Sequence, residues 1–255
     1  MPAEILTIPC LADNYAYLLH DPETGETALV DAPESGPVLA ALGERGWRLG
    51  QIFLTHHHWD HVDGVEALRK ATGARVLGAA ADAHRLPPLD QALQPGDGVA
   101  LGGEKGVVID VPGHTIGHIA FHFPETGAAF TADSLMALGC GRLFEGTPAQ
   151  MWESLGRLAA LPEDTLVCSG HEYTESNARF ALTIEPENPA LQARAREIGE
   201  RRAQGLPTVP SRLGEELATN PFLRAGEPAI RARLGMENAT DVEVFAEIRR
   251  RKDSF

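Results

Sequence analysis

The chain has 255 residues, of which 43% are hydrophobic, enough for one large packed domain or a domain with a smaller module behind it. Charged residues make up 23%, as in ordinary soluble proteins. A formal net charge of −14 argues against nucleic acid as a partner, because phosphate binding needs a basic face, and it restricts anionic small substrates to places where local cations offset the field.

In chain order, apolar extended runs predict strands over residues 5–8, 15–19, 27–30 and 51–54. Further runs predict strands over 75–77, 107–111, 119–123, 128–132 and 165–168. Asp21-Pro22, Thr24-Gly25, Pro124 and Thr126-Gly127 punctuate them as turns. Helices are predicted over 37–45 and 65–72, and another opens at Thr147-Pro148-Ala149-Gln150, which combines a capping box with proline at the first helical position. After Tyr173 the beta-branched runs stop and Ala, Arg and Glu dominate. Helical spacing reappears over 189–204 and 240–252, with Pro207, Pro210, Pro221 and Pro228 between. The expected organisation is an α/β domain over residues 1–173 and a small helical module over 174–255.

Cys10, Cys140 and Cys168 are few, odd in number and far apart, which predicts neither a disulfide framework nor a cysteine zinc finger and fits the cytosol. Met1-Pro2-Ala3-Glu4 has no basic segment leading into a long apolar run, and no apolar run is long enough to span a membrane. A cytoplasmic protein without membrane contact is expected, and a monomer.

The densest chemistry lies in His56-His57-His58-Trp59-Asp60-His61, directly after the apolar residues 51–54. Side chains alternate along an extended segment, so His56 and His58 face one side and His57 the other, where packing or support of a ligand is its expected task. Asp60 and His61 follow as the chain turns into a helix. Imidazoles and a carboxylate gathered in this way suit zinc, iron or manganese. Three more candidates, His114, Asp133 and His171, each sit just past a predicted strand, and Gly113 and Gly170 beside two of them permit sharp turns. Asp31, also at a strand end, either orients a ligand or caps a turn. Trp59 is expected to pack beside the site, and His20, His84, His118 and His122 are expected to be structural. Cys140 has no partner motif for a catalytic thiol.

The run from Thr55 to His61, the segment Gly113-His114-Thr115-Ile116-Gly117-His118, Asp133 and Gly170-His171 together resemble the metallo-β-lactamase superfamily. Asp13-Asn14-Tyr15-Ala16-Tyr17, Gly139-Cys140-Gly141-Arg142-Leu143-Phe144-Glu145-Gly146, His171-Glu172-Tyr173, Asn220-Pro221-Phe222-Leu223-Arg224 and the ending Arg249-Arg250-Arg251-Lys252-Asp253 narrow the resemblance to glyoxalase II, the hydroxyacylglutathione hydrolases. It implies an αββα sandwich followed by a helical module, and a binuclear metal site. His56, His58 and His114 would hold one divalent ion, zinc or else iron or manganese. Asp60, His61 and His171 would hold the other, and Asp133 would bridge them.

The implied reaction is hydrolysis of S-(2-hydroxyacyl)glutathione, chiefly S-D-lactoylglutathione, to glutathione and D-lactate, the second step of methylglyoxal detoxification. The cations would ionise a water for attack on the thioester, with Asp60 assisting proton handling. Arg142, Phe144, Tyr173 and the pair Arg249 and Lys252 match positions the family uses to hold glutathione. Phe144 stands where many members carry tyrosine, Ala132 where glycine is frequent before the bridging aspartate, and Met136 where an aromatic is common. Rival readings on the same fold are an iron-dependent glutathione persulfide dioxygenase and a lactonase or β-lactamase-like hydrolase, with a non-catalytic metal-binding protein the remaining one.

Overall fold

Largely buried strands build the first sheet. β1 (Glu4–Cys10) buries only part of its side chains, as an edge strand does, whereas β2 (Asn14–His20) is buried along almost its whole length. They pair antiparallel from Glu4 with His20 to Cys10 with Asn14. β3 (Glu26–Val30) adds antiparallel to β2, and β4 (Arg48–Leu54), β5 (Arg75–Ala79) and β6 (Gln91–Leu93) then run parallel to β3. Parallel neighbours require crossovers. α1 (Ser35–Arg45) links β3 to β4, while α2 (Trp59–Val62) and α3 (Val65–Thr72) link β4 to β5. α1 and α3 end on Gly46 and Gly73 in the left-handed conformation, the usual glycine stop. Because β3 and β4 run in parallel, both finish at the same end of the sheet, and this brings Asp31 beside Thr55.

The computed structural model describes residues 1–255 and divides into two units, Met1–Asp110 with Thr115–Ala132, and Val111–His114 with Asp133–Phe255. In the first unit a further antiparallel ladder follows the parallel strands: β7 (Gly98–Leu101), β8 (Glu104–Asp110), β9 (Ile119–Phe123) and β10 (Ala128–Ala132). Phe53 of β4 stacks on Phe121 and Phe123 of β9 at 5.2 and 6.1 Å, and Tyr17 of β2 meets Phe130 of β10 at 5.6 Å, so the two sheets face each other across aromatic rings. The other face of the first sheet packs Leu18, Leu29, Ile52 and Leu54 against Val38 and Leu42 of α1 and Val65 and Leu68 of α3. Each such side chain contributes about 1.5–3 kcal/mol by leaving water.

The second unit contains the hairpin β11 (Leu135–Met136) and β12 (Gly139–Cys140). α4 (Pro148–Ala159) opens with the expected capping box, in which Thr147 and Gln150 exchange side-chain bonds. β13 (Leu166–Ser169) pairs with β14 (Ser211–Arg212). The remainder is helical: α5 (Thr174–Ile184), α6 (Pro189–Ala203), α7 (Leu213–Thr219), α8 (Pro228–Leu234) and α9 (Asp241–Asp253). Trp152, Phe245, Phe222, Phe180 and Phe255 touch in succession at 5.5–6.0 Å and tie α4, α5 and α9 to the segment between α7 and α8. α4 therefore shares a core with the last helix, and the compact unit includes residues well before 173. No helix is long and apolar enough to cross a membrane.

Candidate metal centre

In the first unit one buried carboxylate organises the motif after β4. Asp31 follows β3 with a positive φ of 56°, its amide donating to the Phe53 carbonyl at 3.0 Å. Its Oδ1 accepts from the Thr55 amide at 2.9 Å, and its Oδ2 accepts from the Thr55 hydroxyl at 2.8 Å and from His61 Nδ1 at 2.9 Å. The Thr55 hydroxyl has a single proton, which goes to Asp31. Its oxygen must therefore accept from His56 Nδ1, 3.0 Å away. Both imidazoles are thus protonated on Nδ1, and both carry their lone pair on Nε2, the state a metal ligand needs. Asp31 settles the tautomer of His61 directly and that of His56 through Thr55. Asp31 thus orients His61 directly and His56 through Thr55.

Asp31, His56 and His61 each offer a ligand atom within 4.8 Å of the others, and the His56 ring lies 4.7 Å from that of His58. Asp60, at the start of α2, is held by the Asn14 side chain, which donates to its carbonyl at 2.9 Å and its Oδ2 at 3.1 Å. His57 points elsewhere, its Nδ1 lying 3.2 Å from Asp82, which also pairs with Arg85. His118 is buried and stacks on His56 at 4.6 Å, backing that ring. Trp59 does not pack as expected. It is 63% exposed, because it occupies the first position of α2 on the solvent side.

In the second unit Asp133 lies between two imidazoles. Its Oδ2 is 3.4 Å from His114 Nε2 and its Oδ1 is 3.4 Å from His171 Nε2. Donors bound at about 2.0–2.2 Å to one tetrahedral cation are themselves about 3.3–3.6 Å apart. Each Asp133–His pair therefore has the spacing of two ligands on one ion, and the two carboxylate oxygens address different histidines. His114 Nδ1 donates to the Arg142 carbonyl at 2.8 Å, which leaves the lone pair on Nε2 here also. Two glycines permit this approach. Gly113 has φ 153°, and a Cβ on Gly141 would stand 1.9 Å from the Asp133 carbonyl oxygen. The donor types and spacings of both units fit divalent cations.

Around these ligands Phe144 is 61% exposed with its ring 5.3 Å from that of His114, and Arg142 lies over Phe144 at 5.9 Å. Tyr173 stacks on His171 at 4.6 Å and is 40% exposed. Lys252 is partly buried, its ammonium 3.4 Å from the Ser176 carbonyl and hydroxyl. Burial, aided by the charges of Arg249 and Arg179, lowers its pKa to about 8. Arg249, by contrast, is only 6% exposed and already engaged: it donates to the Cys140 carbonyl at 2.9 Å, pairs with Asp253 at 2.8 Å and covers the Phe222 ring. Burial pushes the Cys140 thiol up to about 11 against the pull of Arg249, so it is no nucleophile at neutral pH. Thr55 and the ties of Asn14 and Arg249 escaped sequence reasoning. Thr55 and Asn14 stood inside recognised motifs, but their partners are set by strand ends meeting.

Residues 13–171 match the model of the metallo-beta-lactamase superfamily, and residues 172–255 match that of the hydroxyacylglutathione hydrolase C-terminus. A hydroxyacylglutathione hydrolase of Cereibacter sphaeroides is 69% identical over all 255 residues, covering both chains completely. Among solved structures, ETHE1 from Myxococcus xanthus superposes with a TM-score of 0.67 at 25% identity, covering 98% of this chain and 90% of that one. TTHA1623 in a di-iron-bound form superposes at 0.63 with 27% identity, covering 86% and 100%. The fold is thus the αββα metallo-β-lactamase sandwich with a helical C-terminal region, and the chain belongs to the hydroxyacylglutathione hydrolase family.

Proposed function

We propose that this chain is a binuclear metal-dependent thioester hydrolase that cleaves S-(2-hydroxyacyl)glutathione, with S-D-lactoylglutathione its chief substrate and glutathione and D-lactate its products. The observation that carries the reading is Asp133 with a histidine Nε2 at 3.4 Å from each carboxylate oxygen. His56, His58 and His114 would hold one divalent ion, Asp60, His61 and His171 would hold the other, and Asp133 would serve both. Zinc suits this ligand set best, and iron or manganese also suit it. Bound there, the ions supply the Lewis acidity that polarises the carbonyl and makes water nucleophilic near neutral pH.

The chain's own groups do the rest. Asn14 fixes Asp60, which can take up the proton released as water attacks. The leaving group is a thiolate whose acid has an ordinary pKa of about 8.5, so no dedicated general acid is required. Arg142, Phe144 and Tyr173 flank the ligands and contact the glutathione, Phe144 through its ring where a tyrosine would add a hydroxyl. Lys252, with the field of Arg249 behind it, attracts the glycine carboxylate, and their local charge offsets the acidic chain. In this reading residues 174–255 are the substrate-binding part, and the enzyme works as a cytoplasmic monomer in methylglyoxal detoxification.

The test compares metal-stripped and metal-replete protein on S-D-lactoylglutathione. Turnover that returns with metal supports the reading. No thioester loss from the replete protein, with oxygen uptake on glutathione persulfide instead, overturns it.

A further inference from the structure

The segment Asn220-Pro221-Phe222-Leu223-Arg224 takes no part in the chemistry above, yet Asn220 and its neighbour Glu216 are completely buried. Both address the β11–β12 hairpin. Asn220 Nδ2 donates to the carbonyls of Met136 at 3.1 Å and Gly139 at 3.0 Å. Glu216 Oε2 accepts from the Leu138 amide at 2.8 Å, and its other oxygen pairs with Arg194. Asn177 donates to the Ala137 carbonyl at 3.0 Å, and Arg249 to that of Cys140 at 2.9 Å. Each residue from Met136 to Cys140 therefore has a main-chain group tied to a side chain from α5, α7, the residue after α7, or α9. At the tip Leu138 has a positive φ of 54°, a conformation that L-residues with a Cβ avoid unless their surroundings impose it.

The roots of the hairpin belong to the metal centre. Asp133 precedes it by two residues. Gly141 follows it and donates to the Ser134 carbonyl at 3.1 Å, joining the two roots. Arg142, next in line, supplies the carbonyl that orients His114. A twist or slip of the hairpin would thus move the Asp133 carboxylate and the His114 acceptor together.

We propose that Asn177, Glu216, Asn220 and Arg249 form a side-chain cage that fixes the hairpin and, through its roots, positions Asp133 and His114, so that the helical region sets the metal geometry as well as contacting substrate. These four are positioning residues. Arg249 acts by holding the Cys140 carbonyl. The inference rests on the binuclear reading above.

The experiment uses the full chain and its Asn220→Ser and Asn177→Ala variants. Asn177→Ala removes only one of the ties and is the safeguard should Asn220→Ser fold poorly. Amide hydrogen exchange at residues 136–140, stepwise metal titration, electron paramagnetic resonance of the manganese-loaded proteins and the kcat and KM for S-D-lactoylglutathione are measured. Asn220→Ser should speed exchange in the hairpin and weaken binding of one metal ion about 10-fold or more. It should also reduce the exchange-coupled manganese signal and lower kcat about 10-fold with KM within about 2-fold, and Asn177→Ala should do the same to a smaller degree. Faster hairpin exchange with metal affinity, coupling and kcat all unchanged would overturn the cage. Absence of a coupled pair in the parent chain would instead overturn the binuclear reading, so the two failures are distinguishable.

Discussion

The two units support their proposed ligands by different means. In the first, His56 and His61 are governed by Asp31 and Thr55, which sit at the ends of adjacent parallel strands, and the supporting hydrogen bonds span 1 to 30 residues. In the second, Asp133 and His114 hang on a short hairpin whose bonds reach partners 40 to 109 residues away. The ends of central strands need few supports, because their backbone is already fixed by the ladder on both sides. A six-residue hairpin with two paired residues per strand has little rigidity of its own and must be held from outside. This contrast predicts that the first half tolerates backbone stress and fails when one carboxylate is lost, while the second fails by accumulation of small losses.

The sharpest way to break the contrast is Asp31→Ala. It leaves the Thr55 amide and His61 Nδ1 buried without their acceptor and should cost about 3 kcal/mol of unfolding free energy, along with about 10- to 100-fold in metal affinity. Denaturant melts and metal titration read both, and loss of affinity without loss of stability would separate Asp31 from the fold. Thr55→Val removes only the relay to His56 at nearly constant shape. The expected cost is about 1–2 kcal/mol, with a smaller weakening of metal binding.

On the substrate side, Lys252 is charged below its lowered pKa of about 8 and neutral above it. If it attracts the glutathione carboxylate, kcat/KM should fall as pH rises through about 8, and Lys252→Arg should abolish that fall. The stability sign is opposite. The unfolded chain, with an ordinary lysine pKa of about 10.4, binds the extra proton between about pH 8 and 10.4, so this group makes the fold more stable as pH climbs across that window. A pH profile unchanged by Lys252→Arg would remove the residue from substrate binding.

The smallest effect belongs to Ala132, which takes φ 41° directly before Asp133. Glycine adopts that conformation without the Cβ penalty. Ala132→Gly should raise stability by about 0.5 kcal/mol, net of the added freedom of the unfolded chain, and thermal melts would register a shift of a degree or two.

Much of the first unit was legible because its strands are long, apolar and bounded by turn residues. The ligand run of residues 56–61 follows such a strand directly. The prediction for residues 27–30 and 51–54 placed both strand ends, but nothing local said that Asp31 and Thr55 would meet, since that depends on β3 and β4 being parallel neighbours. β6, β7, β11, β12 and β14 were missed because two to four residues are too few for a period to register. α5 escaped because it starts at Thr174 without a side-chain cap, and α7 and α8 are each only seven residues long. In the sequence Arg249 reads as one of two cations on the last helix that hold glutathione. Its burial follows from partners in the hairpin more than a hundred residues earlier, and no sequence pattern carries that information.

The central claim is that Asp133 serves two cations at once. Anomalous diffraction from crystals of the metal-loaded chain tests it directly. The account predicts two peaks, one beside His56, His58 and His114 and one beside Asp60, His61 and His171, each within coordination distance of one Asp133 oxygen. A single peak, or two peaks with Asp133 turned away from either, would contradict it.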